Sequence, residues 1–120
     1  MERFSFGPDV AFTPRGGAAL ERVTVAPLTG PLAQGASFQA AVFRIAPGGG
    51  IPRHPATVPQ ILAVLEGSGE VSGASGVDEP IAAGDAVYWG ESEEHEVKST
   101  GGMTALIIEG RGLDRFRPPA

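Results

Sequence analysis

Glycine and proline fall so regularly along this chain that they leave room for little except short strands. Eighteen glycines and eleven prolines occur in 120 residues, and they interrupt apolar runs instead of gathering in tracts, so they act as turn punctuation. Residues 37–45 (SFQAAVFRI) read as a strand, with β-branched and aromatic types concentrated at its far end. Ala46-Pro47-Gly48-Gly49-Gly50 ends it, because three adjacent glycines bring no side chains to stabilise a helix or a strand. A short polar stretch holding His54 follows. Residues 60–66 (QILAVLE) form the next strand, which Gly67-Ser68-Gly69 is expected to turn back into residues 70–73 as a hairpin. Residues 80–83 make a short strand, Gly84-Asp85 a tight turn, and residues 86–89 (AVYW) another strand. Residues 94–98 (EHEVK) alternate polar with apolar, Gly101-Gly102 turns the chain, and residues 103–109 (MTALIIE) supply a last core strand.

Ahead of these elements, residues 22–27 are the one good strand candidate, and residues 18–22, the only stretch of helical composition, are too short to form a helix alone. The tail ends in Arg117-Pro118-Pro119, which a central strand could not tolerate. Many short strands joined by glycine turns mean an all-β sandwich or closed barrel. Two halves of such a chain would each be too small to bury a core, so a single domain over 1–120 is expected. Its N-terminal arm covers about 1–36, its barrel core about 37–110 and its tail 111–120.

Composition removes several kinds of chemistry. Without cysteine there is no disulfide, thiolate nucleophile or zinc–thiolate site, and any metal must be held by nitrogen and oxygen. A net charge of −5 with nine lysines and arginines argues against nucleic acid as a partner. No apolar run approaches the ~18 residues of a membrane helix, so no membrane partner is expected. Residues 1–6 (MERFSF) lack the pattern of an export signal, which makes the cytoplasm the expected location.

From Gly48 to Ser99 the chain resembles the cupin family at two separated motifs. The first runs glycine, five residues, His-x-His, three or four residues, glutamate, six residues, glycine. Here Gly48, His54 and Gly67 fall in place, with Ala56 at the second histidine and Gln60 at the glutamate. In the second, Gly84, His95 and Ser99 stand at its glycine, histidine and asparagine positions, while Gly90 and Ser92 stand where proline and glycine are usual. Both histidines of the chain land on ligand positions. The resemblance implies a jelly-roll β-barrel with its site inside, and a homodimer with N-terminal segments packed across the interface.

It also implies a divalent metal ion (Fe, Ni, Cu, Mn or Zn) held by His54, Gln60 and His95, more weakly than in relatives that keep the carboxylate and the second histidine. If Gln60 points inward, alternation carries Leu62 and Val64 with it, and an inward His95 carries Val97 while Glu94 and Glu96 face solvent. Glu91, Glu93, Glu94 and Glu96 then form a solvated acidic edge. One of Tyr88 and Trp89 faces inward, to fill core or line the substrate pocket. Arg44, a charge in a central strand, pairs with a neighbour or anchors an anionic substrate. Arg111, Arg115 and Arg117 read as a solvated tail that could close a barrel end. The expected activity is that of a dioxygenase or isomerase-like enzyme on a small oxygenated or aromatic molecule. The alternative is a metal-free cupin that binds a small ligand without redox chemistry, its two histidines serving as hydrogen-bond partners.

Overall fold

The structure, a computed structural model, describes residues 1–13, 26–31 and 34–118. Among these residues there are eight strands and no helix: β1 (Glu2–Ser5), β2 (Ser37–Ile45), β3 (Gly49–Pro55), β4 (Gln60–Ser72), β5 (Glu79–Ala82), β6 (Asp85–Trp89), β7 (Glu94–Ser99) and β8 (Met103–Arg111). All pairings are antiparallel. One sheet runs β1-β6-β4-β8-β2; the other runs β3-β7-β4-β5. The two face each other as a jelly roll, which makes this an all-β barrel.

The core follows from period-two alternation. Leu62 and Val64 of β4, Val87 and Trp89 of β6, and Met103, Ala105 and Ile107 of β8 point inward from the first sheet. Val71, Ile81 and Val97 meet them from the second. Each large aliphatic side chain among them contributes roughly 1.5–3 kcal/mol by leaving water.

Two glycine clusters were expected to break strands, and the structure uses both differently. Instead of a hairpin, β4 is one continuous strand of thirteen residues. Its first half pairs with β6 and β8 and its last part with β5 and β7, so it crosses from one sheet to the other. Gly67, at φ 80°, lies where a Cβ would collide with the Gly102 carbonyl of β8's approach, and a Cβ on Gly69 would strike the Lys98 carbonyl of β7. These glycines permit a bend and close neighbours instead of a reversal. Similarly, Gly49 and Gly50 open β3 instead of ending regular structure, because β7 passes too close to Gly50 for any side chain.

The acidic and basic clusters are also less solvated than expected. Glu93 is half-buried and accepts hydrogen bonds from the Met1 amine (2.6 Å), Gly90 N (3.0 Å) and Ala74 N (3.1 Å). In the tail, Leu113 is buried, Thr29 bridges Arg115, and Arg115 and Arg117 both pair with Glu2. Arg115 also lies 4.8 Å from the Phe4 ring centroid. Residues 111–118 are thereby strapped to β1. The stretch of helical composition at 18–22 and residues 22–25 of the early strand candidate lie outside the described residues; Ala26 and Pro27 belong to no strand.

Candidate functional site

On β7, alternation buries His95 and Val97 on the inner face; Glu94 is exposed and Glu96 half-buried. β3 pairs with β7, bringing His54 directly opposite His95. Ile51 sits opposite Val97 in the same ladder, so β3 spends three residues where β7 spends two. A regular strand would send Ile51 and His54 to opposite faces, and the extra residue brings both to the face that lines the cavity, Ile51 half-buried and His54 exposed at its mouth.

The result is a cluster of three tilted rings. Trp89, its indole N–H donating to the Ser72 carbonyl at 3.1 Å, has its ring centroid 4.4 Å from that of His95 at an angle of 30°, and the His54 centroid lies 4.3 Å from His95 at 53°. Both imidazoles are held in the same way, each through Nδ1 to the carbonyl two residues earlier: His54 to Pro52 (2.7 Å) and His95 to Glu93 (3.1 Å). In a neutral imidazole, donation from Nδ1–H to a carbonyl leaves Nε2 as the unprotonated lone pair. His95 Nε2 is buried and has no hydrogen-bond partner among the described residues. Burial pushes His95 below its ordinary pKa, against the Glu93 carbonyl that raises it, and His54 adds to the lowering. The ring is therefore neutral at neutral pH.

Beside His54 a cavity of about 620 Å³ opens between the two sheets. β2 lines it with Gln39, Ala40, Ala41 and Phe43, β8 with Ile107 and Glu109, β4 with Gln60, and β3 with Ile51 and His54. Gln60 and Glu109 are cross-strand partners, and the Gln60 amide donates through Nε2 to Glu109 Oε2 at 3.0 Å. Since only the NH₂ end can donate to a carboxylate, this bond fixes which way the amide faces. Glu109 was not singled out from sequence. The signal was there, because it lies two residues beyond inward Ile107 in an otherwise apolar strand.

Other expected pocket residues lie elsewhere. Leu62, Val64, Trp89 and Val97 face inward but fill the core and do not line the cavity. Arg44 pairs with Thr104, one step out of phase with inward Phe43 and Ala105, so it lies on the outer face. Tyr88 is out of phase with Trp89, and its hydroxyl donates to the Leu113 carbonyl at 3.4 Å. At the site of the missing histidine, Ala56 is 3% exposed, bonded to Glu93 and Ser92 through its backbone. Ser92 adopts φ 66°, a left-handed conformation that accounts for glycine being usual there. Ser99 donates its hydroxyl to the Ser68 carbonyl at 2.7 Å, tying β7 to β4.

A divalent ion fits these donors in part. Two imidazoles with Nδ1 secured and Nε2 open, one of them an orphaned buried acceptor, are suited to late first-row metals. No group of three His, Cys, Asp or Glu gathers to hold an ion among the described residues, so an anionic ligand is missing from the set.

Comparison with known proteins agrees with the architecture. The family described as "Cupin domain" matches residues 41–109. A predicted oxalate decarboxylase from Thermotoga maritima is 28% identical with a TM-score of 0.54, over 57% of this chain and 62% of its own. A cupin 2 domain-containing protein from Halorhodospira halophila is 25% identical at TM-score 0.58, over 72% of this chain and 62% of its own. A cupin superfamily protein from Desulfitobacterium hafniense shares 18% identity at TM-score 0.59, over 70% and 76%. The chain thus spans about three-fifths of the first two relatives' length. No curated protein matches it.

Proposed function

This chain belongs to the cupin domain family, and from that premise we propose that it binds a divalent ion through His54 and His95, with Gln60 as third donor, and acts on a small oxygenated or aromatic molecule in the adjoining cavity. The observation that carries the reading is the matched pair of imidazoles, 4.3 Å apart, each with Nδ1 committed to a carbonyl and Nε2 left open. When bound, the ion would supply the Lewis acidity that an isomerase-like reaction needs and, if redox-active, the one-electron chemistry that a dioxygenase needs. The chain's own residues do the rest. Trp89 and the Glu93 carbonyl hold His95 in one orientation, Glu109 orients the Gln60 amide, and Phe43, Ile51 and Ile107 present apolar surface to the substrate.

The lack of a third His or carboxylate beside the pair, among the described residues, favours a second reading: a metal-free binding module in which the open Nε2 atoms accept hydrogen bonds. Elemental analysis of protein purified without a metal-affinity tag separates the two. Near-stoichiometric Fe, Ni, Cu, Mn or Zn that is lost in both His54→Ala and His95→Ala supports the metal site. Protein free of metal that also takes none up on titration overturns it in favour of the binding module.

A further inference from the structure

Whichever of those readings holds, the cavity carries a carboxylate of which only one oxygen is committed, in orienting Gln60. Glu109 contributes the one formally charged side chain to its wall, and no lysine or arginine lines it among the described residues. Arg111 lies on the same face of β8 but a strand step of about 7 Å further along. It is exposed and makes no ion pair with Glu109 among the described residues. Arg44, once a candidate anchor for an anion, is on the outer face. Glu109 gives Oε2 to the Gln60 amide, and the described residues provide no partner for Oε1. A carboxylate with spare acceptor capacity thus stands at the wall of a cavity whose other lining joins apolar Phe43, Ile51 and Ile107 to the neutral polar groups of Gln39, Gln60 and His54.

We propose that this cavity selects an organic cation: a small molecule with an apolar body against Phe43, Ile51 and Ile107 and a protonated amine on Glu109. The inference rests on the cavity being the ligand site, as proposed above. A half-buried carboxylate favours a charge-assisted N⁺–H donor over a neutral hydroxyl, and it repels another carboxylate. Mono- and dicarboxylates would therefore enter unmatched, with only a resident metal to attract them.

The test compares three ligands of nearly equal shape, benzylamine, benzyl alcohol and benzoate, at pH 7.5 against the full chain as purified. Binding is followed by the δ1-methyl NMR signals of Ile51 and Ile107, which report on this cavity. Benzylamine is expected to bind about tenfold more tightly than the alcohol, with benzoate weakest. Glu109→Gln, which keeps shape and hydrogen bonding while removing charge, should bring amine and alcohol within about threefold of each other. Benzoate binding as tightly as benzylamine, or an unchanged ranking in Glu109→Gln, overturns the cation assignment while leaving the cavity as a ligand site. If none of the three moves those methyl signals, the ligand-site reading falls and the inference falls with it. The wild-type ranking stands even if the variant fails to fold.

Discussion

Glu93 shows what a single residue does here that its surroundings in the sequence hide. It lies among four glutamates that read as a solvated edge, yet its carboxylate ties the Met1 amine, the Gly90 turn and the loop at Ala74 together. Burial alone would raise its pKa, but the hydrogen bonds from the amine, Gly90 and Ala74 outweigh it, and the carboxyl lies below its ordinary value of 4.5. Between those two values the unfolded chain binds more protons than the folded one, so stability rises with pH. The contribution is complete above about pH 4.5 and is lost as pH falls through the folded value. Glu93→Gln should cost about 2 kcal/mol at pH 7. In urea titrations the gap between wild type and variant should narrow at pH 3.5; a gap of equal size at both pH values would mean that the carboxylate charge contributes nothing. His54, His95 and Gln60 could be chosen from spacing because motif positions survive in the residue order. Glu109 is different: alternation past Ile107 signals that it faces inward, but its place in the site depends on its partner Gln60 across the ladder, which residue order does not show.

At the level of elements, alternation located most strands well, and the misreadings come from glycine. A glycine pair between apolar runs has two uses: it can reverse a strand, or it can let a continuing strand bend against close neighbours. Composition does not distinguish them, since the difference lies in what stands opposite. For Gly67 it is the Gly102 carbonyl. Gly67→Ala should therefore combine left-handed strain with a backbone collision and cost about 3 kcal/mol or more. Gly76 has a similar φ, 74°, but nothing within 4 Å of a Cβ, so Gly76→Ala should cost only about 1 kcal/mol. Chemical denaturation of the two variants measures the contrast, and equal losses would show that the close approach of β8 to β4 is not what demands the glycine. The bulge in β3 was beyond reach for the same reason. Its extra residue turns His54 to the cavity face beside Ile51, and only the register against β7 reveals it.

For the molecule as a whole, the site lies where the two sheets are least tied together. β2 pairs only with β8, and β3 only with β7, among the described residues, and the cavity opens between these two strands. An ion shared by His54 and His95 would clamp β3 to β7 and stabilise the folded state by linkage, since the unfolded chain offers two histidines and no cysteine to compete for it. At 100 times the dissociation constant the gain is about 2.7 kcal/mol. For a domain of this size that is a rise in Tm of about 10 °C. Ni or Zn should produce the rise and Mg should not, because magnesium prefers oxygen donors and the pair offers imidazole nitrogen. His54 is exposed, so His54→Ala should leave the ion-free Tm close to that of wild type while abolishing the ion-dependent increment. Thermal scans over a range of ion concentrations test this directly. An increment that persists in both His54→Ala and His95→Ala would place the ion elsewhere on the molecule, and the ring cluster would then serve the barrel alone.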